Sequence, residues 1–218
     1  MKENVTIIDH MGSDLSVVNA ARVSFGKAHK KLTDGDKKLI KFLAKHGHWT
    51  PFGHCTVSFH IEAPIFVARQ LVKHQVGLVW NEVSRRYVDY EPECWYPEHW
   101  RARAEDKKQG SDENEYIDWL ARDERTGGRV SKVCDFAIQT YKLMLEKGVC
   151  PEQARMVLPQ NTYTEWYWTG SLYAFARVCN LRCQPDAQRE TRDICWKIDQ
   201  LANVSFPVSW EALRSANI

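Results

Sequence analysis

The sequence predicts an α+β fold in which a few strands are interspersed with many helices. Residues 56–62, TVSFHIE, alternate strictly between apolar and polar side chains, which is typical of a half-buried strand. Several longer segments instead repeat apolar residues at helical spacing between capping residues and glycines. The 218 residues suit one domain over 1–218, with a charged surface excursion at about 97–128.

The start of the chain predicts one strand and two helices. The segment NVTII is typical of a short opening strand. Ser13 precedes an apolar helical pattern and is therefore expected to cap the first helix. Thr33 stands three residues before Asp36, an arrangement close to a capping box, and Gly47 is expected to end the second helix.

The segment after the alternating strand is predicted to be a helix over 64–76. Pro64 suits its first position and Gly77 suits its end. On such a helix the polar side chains form one arc and the apolar side chains form the opposite face. The arc holds Arg69, Gln70, Lys73 and His74, and the apolar face holds Ala68, Leu71, Val72 and Val76.

The second half of the chain is predicted to be mostly helical. Within the charged excursion, at most one short helix is expected. The segment RVSKVCDFAIQTYKLMLEKG predicts a long amphipathic helix, with an apolar face of Val130, Val133, Phe136, Ala137, Tyr141 and Met144. PEQARMVLP is expected to form a short helical turn, and TYTEWYWTG is expected to be extended. SLYAFARVCNL and PDAQRETRDICWKIDQLANV predict the last two long helices.

Composition excludes several classes of function. The 30 basic and 28 acidic residues leave a net charge of only +2, which argues against extended nucleic-acid binding, so any anion site must be local. The seven cysteines include no CxxC, which argues against zinc ribbons and disulfide frameworks and favours free thiols in a reducing compartment. The segment MKENVTIIDH lacks the apolar core of a signal peptide, so a cytoplasmic protein with no membrane partner is expected.

The stretch RQLVKHQVGLVWNEVSRR, residues 69–86, joins two cationic clusters through an apolar segment. A phosphate is bound by guanidinium, ammonium and hydroxyl donors, all of which occur here. A nucleobase is bound by amide or carboxylate groups at its edge and by flat apolar surface, which also occur here. The stretch therefore predicts a nucleotide site, although a charged helix face that simply meets water has a similar pattern.

Two long blocks of the sequence together resemble one known family. They are HWTPFGHCTVSFHIEAPIFVARQLVKHQVGLVWNEVSRRY and ARMVLPQNTYTEWYWTGSLYAFARVCNLR, the second followed by DAQRE. In this order they are similar to flavin-dependent thymidylate synthase, the ThyX family. That family carries an Arg-His-Arg signature followed by a serine. Here Lys73-His74-Gln75 takes its place, and a slightly longer spacer of eight residues leads to Ser84.

The resemblance implies an activity and an architecture. The activity is reductive methylation of dUMP to dTMP for de novo dTTP biosynthesis, with methylenetetrahydrofolate as carbon donor and NADPH-reduced FAD as hydride donor. The architecture is a small antiparallel sheet packed with several long helices, assembled as a homotetramer with shared active sites. No metal is implied.

The resemblance also implies which residues form the site. Arg182 is expected to be catalytic and to lie against the N3/O4 edge of uracil, and Arg155 is expected to reach dUMP from a neighbouring subunit. Ser171 and Arg177 stand where many members of the family have asparagines that contact FAD. The expected dUMP residues are Gln70, Lys73, Glu82, Ser84, Arg85, Arg86, Arg155 and Arg182. The expected FAD residues are His48, Thr50, Lys73, His74, Gln75, Asn81, Glu82, Ser171 and Arg177.

The implied chemistry requires no protein nucleophile. A guanidinium beside N3 and O4 stabilises the negative charge that builds there, so that C5 gains electron density. Flavin supplies the redox step, which no side chain can perform. Ser84 would act as a nucleophile only with a positioned base, which the sequence does not reveal. Cys179 and Cys183 flank Arg182 but suit helix packing better than thiolate attack.

Two other functions remain open from the sequence. One is a nucleotide-binding protein of the same fold without flavin chemistry, which the altered Lys-His-Gln signature motivates. The other is a metal-dependent hydrolase built on a cluster of histidines, although no HExxH pattern supports it. Those histidines are His46, His48, His54 and His60.

Overall fold

The computed structural model describes residues 4–88, 90–105, 110–117, 127–216 and 218. Within these residues the chain forms two compact units. The first unit contains residues 62–70 and 82–165, and the second contains residues 4–61, 71–81 and 166–218. None of the described helices is long and apolar enough to cross a membrane.

Helices and short strands follow one another along the chain. The first half holds β1 (Asn4–Met11), α1 (Asp14–Arg22), a 3₁₀ turn (Val23–Phe25), α2 (Asp34–Lys45), α3 (Thr50–Gly53), β2 (Thr56–Pro64), α4 (Ile65–Leu71) and β3 (Leu78–Glu82). The second half holds β4 (Arg101–Arg103), β5 (Ser111–Tyr116), α5 (Gly127–Glu146), α6 (Pro151–Ala154), a 3₁₀ turn (Arg155–Val157), β6 (Tyr163–Ser171), α7 (Leu172–Arg182), α8 (Arg189–Ser205) and α9 (Pro207–Ala216). The predicted α+β class is confirmed.

Four of the strands form one sheet, with strand order β1-β2-β6-β3. As predicted, β2 buries alternate residues, since Val57, Phe59 and Ile61 are inaccessible to solvent. Two glycines allow β3 to approach β6, because a Cβ on Gly170 would stand 2.5 Å from the carbonyl oxygen of Gly77. The approach of β3 to β6 therefore requires a residue without a side chain at position 170.

Aromatic side chains fill the core of the second unit. Trp80 stacks on Trp166 with ring centroids 4.5 Å apart, and Trp168 meets Phe175 edge to face at 5.1 Å. Phe59 meets the same Phe175 ring at 5.0 Å. These rings couple β2, β3 and β6 to α7, so the core positions the helix on which Arg182 lies.

The predicted start of α2 is confirmed in detail. The Asp36 N–H donates to the Thr33 hydroxyl at 3.3 Å, and the Asp36 carboxylate accepts from the Thr33 N–H at 3.0 Å. Gly47 adopts a left-handed φ of 69° immediately after the helix. Arg22 and His29 also contact the fully buried Asp36 carboxylate, at 2.7 Å and 2.8 Å. Asp36, which completes the capping box, is thus also the centre of a buried ion-pair cluster.

The predicted helix over 64–76 is wrong in both of its bounds. Pro64 is the last residue of β2, and α4 ends at Leu71. The His74 N–H donates to the Leu71 carbonyl at 3.0 Å, which closes a turn rather than a further helical repeat. Val76, expected in the core, is 77% exposed. The chain leaves the helix early because it must turn into β3, and Gly77 makes that turn with φ 77°.

Two further predictions need correction. The charged excursion contains an antiparallel pair, β4 and β5, where at most one short helix was expected, and its residues 106–109 and 118–126 lie outside the described residues. Along α5, Val133 and Phe136 are 63% and 71% exposed, whereas Cys134 and Tyr141 are buried. The apolar pattern of α5 is therefore wider than the face that the first unit buries.

Candidate active site

The predicted site residues divide between the two units. The second unit contains Arg182 and all the expected FAD residues except Glu82. The first unit contains most of the expected dUMP residues, which are Gln70, Glu82, Ser84, Arg85, Arg86 and Arg155. Each group is described separately below.

In the second unit, the structure brings Arg182 and His74 together across a long stretch of sequence. Arg182 is the last residue of α7, and His74 lies in the turn between α4 and β3. The Arg182 Nε–H donates to the His74 Nε2 at 3.0 Å. This pairing joins the two sequence blocks that carry the family resemblance.

The environment of His74 opposes protonation. Burial of the ring, together with the positive charges of Arg182 and Arg177, lowers the pKa of its imidazole to about 4. An arginine offers donors and no acceptor, so the ring nitrogen that faces Arg182 must carry a lone pair. His74 is therefore a neutral acceptor for the Arg182 guanidinium at physiological pH.

Ser171 performs a structural task that the sequence did not predict. Its hydroxyl accepts the Ala174 N–H at 3.2 Å and so caps α7. Its own N–H donates to the Gly77 carbonyl at 3.2 Å. Ser171 thereby connects the N-terminus of α7 with the turn that contains His74.

The remaining expected FAD residues of the second unit are accessible to solvent. Arg177 is exposed on α7, and His48 contacts the Phe42 ring edge-on at 5.9 Å between centroids. Thr50 opens α3 beside the exposed Trp49. The other exposed members of this group are Lys73, Gln75 and Asn81.

In the first unit, a small pocket of about 130 Å³ collects three of the predicted residues, Glu82, Arg85 and Arg155. The Thr164 hydroxyl donates to a Glu82 carboxylate oxygen at 2.8 Å, which orients that carboxylate. The buried Thr162 hydroxyl also lines the pocket. The pocket therefore combines guanidinium and hydroxyl donors with one carboxylate acceptor.

Sequence reasoning missed Thr162 and Thr164. The available signal was their position in the NTYTEW block, where β6 alternates and buries every second residue. Thr164 falls on its buried side, and Thr162, which immediately precedes the strand, is buried as well. A buried hydroxyl on an otherwise apolar face is a pattern that marks a polar site.

The loop after β3 contains Arg85 and one further arginine, Arg86. The Arg86 Nε–H donates to the Ser84 hydroxyl at 3.1 Å. Arg85 lies over the Tyr90 ring, with its guanidinium carbon 4.3 Å from the ring centroid, and donates to the Tyr90 carbonyl. Arg85 also lines a second pocket of about 210 Å³ together with Glu62, Glu91, Glu93 and Glu165. Ser84 thus faces a cationic donor, an arrangement that suits ligand binding.

The cysteines and histidines form no recognisable metal site. All seven cysteines are free thiols, and Cys179 is fully buried. Burial raises the pKa of the Cys179 thiol well above its ordinary value. Among the described residues there is no group of three or more histidine, cysteine or acidic side chains that could hold a metal ion.

Comparison with known proteins assigns the chain to a family. A family model described as thymidylate synthase complementing protein matches residues 6–208. The chain belongs to this family. The resemblance found in the two sequence blocks is therefore confirmed.

Proteins related to this chain align with nearly its whole length. A flavin-dependent thymidylate synthase from Thermus thermophilus is 39% identical over 210 residues, which are 96% of this chain and 75% of the relative. One from Thermosipho africanus is 37% identical over 206 residues, which are 94% of this chain and 88% of the relative.

A solved structure has the same fold. The crystal structure of a UMP/dUMP methylase, PolB from Streptomyces cacaoi, bound with 5-Br dUMP, superposes with a TM-score of 0.86 at 27% identity. The match covers 100% of this chain and 97% of that chain. The same methylase bound with 5-Br UMP superposes with a TM-score of 0.83 at 28% identity.

Proposed function

We propose that the chain is a flavin-dependent thymidylate synthase, a methyltransferase that converts dUMP to dTMP. The observation that carries this proposal is the Arg182 guanidinium, held by a neutral His74 in a member of the thymidylate synthase complementing protein family. The curated relatives that match 96% and 94% of the chain bear the same function in their names.

Arg182 is the group that we expect to activate the substrate. A guanidinium stays charged at every physiological pH and presents paired donors to adjacent ring atoms. Placed against N3 and O4 of uracil, it would stabilise the negative charge that accompanies attack by C5. No side chain of the protein needs to form a covalent bond in this scheme.

The second unit suits a flavin. Arg182 donates to His74, the charge of Arg177 acts on the same ring, and the neutral imidazole retains a proton on Nδ1 that it can donate to an electron-rich group. We propose that His74 and Arg177 hold FAD together with Lys73, Gln75 and Asn81, with His48 and Thr50 beside them. Bound there, the cofactor would supply the hydride that the methyl group requires.

Ser171 is the weakest of the expected FAD contacts. Its hydroxyl already accepts a hydrogen bond from the backbone of α7, so only its second lone pair and its proton remain for a ligand. Arg177 has a longer reach and no such commitment to a helix end. We therefore propose that Arg177 contributes more to FAD binding than Ser171 does.

The first unit suits the nucleotide phosphate. Arg85 and Arg155 both line the pocket that contains Thr162, and Arg86 stands beside Ser84. We propose that these donors, with Gln70, bind dUMP, while Glu82 contacts both nucleotide and flavin. A planar guanidinium can grip a phosphate through two parallel hydrogen bonds.

The co-substrates and assembly follow the family resemblance. We propose methylenetetrahydrofolate as the carbon donor, NADPH as the reductant, and a homotetramer in which Arg155 serves a neighbouring subunit. The exposed apolar residues Val133, Phe136 and Leu143 on α5 support a subunit contact, because a lone surface helix rarely exposes three such side chains. The free thiols are compatible with a cytoplasmic location.

The decisive experiment is spectroscopic and then kinetic. The purified protein should be yellow with bound FAD, should oxidise NADPH, and should form dTMP only when dUMP and methylenetetrahydrofolate are both present. A colourless protein that binds dUMP without turnover would instead establish a nucleotide-binding function on the same fold. UMP should be offered in parallel, because the structurally similar PolB is a UMP/dUMP methylase. Turnover of UMP as fast as dUMP would refute specificity for the deoxynucleotide.

A further inference from the structure

We propose that His74 is a positioning residue that orients the Arg182 guanidinium by accepting its Nε–H on a neutral Nε2. The inference deepens the proposed function and rests on it, because Arg182 is the group assigned to the uracil ring. It adds a task to His74 that is separate from contact with a cofactor. The task is to hold a catalytic donor in one orientation.

The hydrogen bond itself dictates the protonation state. The Arg182 Nε can only donate, so the His74 Nε2 at 3.0 Å must accept. A neutral imidazole with a lone pair on Nε2 carries its proton on Nδ1. Protonation of Nε2 would place two N–H groups against each other and would eliminate the bond.

The surrounding charges stabilise this neutral form. The guanidinium groups of Arg182 and Arg177 on α7 both disfavour a positive charge on His74, and burial of the ring acts in the same direction. A cationic His74 would add a third positive charge to this cluster. Ordinary variation of pH around neutrality therefore leaves the acceptor intact.

The backbone holds both partners in place. The His74 N–H is bonded to the Leu71 carbonyl, and the Gly77 carbonyl accepts the Ser171 N–H at the start of α7. Arg182 lies at the other end of the same helix. The turn over 72–77 thus contacts the start of α7 through Gly77 and the end of α7 through His74. These contacts keep the His74 ring within hydrogen-bond distance of Arg182.

This geometry leaves the useful part of Arg182 available. The bond to His74 occupies the Nε–H, so both terminal amino groups keep their four N–H donors for a ligand. A long arginine side chain otherwise loses considerable rotamer freedom when it binds a substrate. By ordering the side chain in advance, His74 would lower that cost in the transition state.

Two substitutions separate the acceptor role from other roles of His74. In His74→Gln the side-chain amide reaches the position of Nε2 and can accept the Arg182 Nε–H. In His74→Asn the shorter amide reaches only the position of Nδ1. We expect kcat with saturating FAD to fall by less than about 5-fold in His74→Gln and by about 100-fold in His74→Asn, with a smaller change in the KM for dUMP. Equal kcat values, or a more active His74→Asn, would overturn the inference.

A second measurement needs no substitution at the site. Nitrogen NMR of the FAD-bound protein, labelled at its 8 histidines, reports the tautomer of each ring. The His74 signals, assigned through the bond to a co-labelled Gln75 because this is the only His-Gln pair in the sequence, should show a protonated Nδ1 and an unprotonated Nε2 at pH 7. A protonated Nε2 would overturn the inference even if both variants were inactive through misfolding.

The outcomes also distinguish this inference from the proposed function. If the wild-type protein formed no dTMP, the proposed function would fail, whereas the NMR tautomer would still test the His74–Arg182 bond. In that case dUMP affinity replaces kcat as the second readout. A dUMP affinity that is weaker in His74→Asn than in His74→Gln would support orientation of Arg182 toward the nucleotide, and equal affinities would overturn it.

Discussion

At the scale of single residues, charge environment decides what each ionisable group can do. His74 stays neutral because of burial and of the positive charges of Arg182 and Arg177, whereas Asp36 pairs with Arg22 and His29 and stays ionised. Burial alone would raise the pKa of the Asp36 carboxyl, but hydrogen bonds from His29, Arg22 and Thr33 outweigh it and hold the pKa well below its ordinary value. The first environment suits ligand binding, and the second suits stability.

Replacement of Arg182 tests the proposed chemistry most directly. In Arg182→Ala, dTMP formation should fall by about 100- to 1000-fold, because the ring would lose its charge-stabilising donor. The visible spectrum should show that FAD remains bound. Arg189→Ala is a matched control, since Arg189 is an exposed arginine of the same unit whose ion pair with Asp193 lies on α8. Unchanged kcat in Arg182→Ala would refute the assigned role.

Replacement of Asp36 tests the buried ion-pair cluster. Asp36→Asn should lower the free energy of unfolding by about 3–5 kcal/mol, because Arg22 and His29 would lose their shared partner in a buried site. Asp34→Asn, two residues earlier and 90% exposed in its ion pair with Lys37, should change stability by less than about 1 kcal/mol. Urea titrations of both variants provide the comparison, and equal losses would contradict a special role for Asp36.

At the scale of secondary structure, the turn between α4 and β3 matters more than the helix before it. The turn presents His74 and reaches β6 through a contact between Gly77 and Gly170. The helix, in contrast, ends before the signature residues begin. The geometry of the candidate site thus depends on a close approach of two backbone segments.

Substitution of Gly170 tests this contact. A Cβ in Gly170→Ala would stand 2.5 Å from the Gly77 carbonyl oxygen and 2.5 Å from a Leu78 methyl carbon, so the turn must shift. We expect a loss of stability of about 2 kcal/mol or more and lower FAD affinity. Gly35→Ala on α2 is the control, because its Cβ would meet nothing closer than 3.7 Å and alanine favours a helix. Calorimetry and FAD titration measure both effects. An undisturbed Gly170→Ala protein would show that the contact is not required.

At the scale of the whole molecule, the exposed apolar side of α5 bears on assembly. Phe136 is 71% exposed although it follows the helix periodicity of a buried face. If the homotetramer forms through this side, Phe136→Glu should dissociate it, because a buried charge would face apolar surface. Gln153→Glu on α6 adds the same charge at another exposed position of the same unit and should leave the assembly intact. Light scattering measures the oligomeric state of both variants. An intact Phe136→Glu tetramer would show that the subunit contact lies elsewhere.

Acid stability of the whole molecule should reflect His74. The ring has a pKa of about 4 in the folded protein and an ordinary value of 6.5 when unfolded, so only the unfolded state gains a proton between these values. The free energy of unfolding should therefore fall as the pH drops from 7 to about 4. Below that pH, His74 should cause no further loss. Melting temperatures across this range should decline less steeply for His74→Gln. Parallel curves for the two proteins would contradict a neutral buried His74.

Much of this protein follows from local sequence pattern. The β2 alternation, the Thr33 cap and the Gly47 stop could all be predicted, because each depends on neighbours in the chain. The two family-like blocks likewise indicated Arg182 and His74 as candidate site residues, whose roles stay predictions. Predictions from apolar periodicity were wrong where tertiary packing determines the structure. Examples are the early end of α4 and the exposure of Phe136.

Only the tertiary structure decided how the predicted residues work. The sequence indicated that His74 and Arg182 belong to one function, but a hydrogen bond between residues 108 positions apart leaves no local trace. The neutrality of His74 depends on burial and on two guanidinium groups that the fold brings to it. Residue types are read from the chain, whereas distances, protonation states and the capping task of Ser171 arise when distant segments pack together.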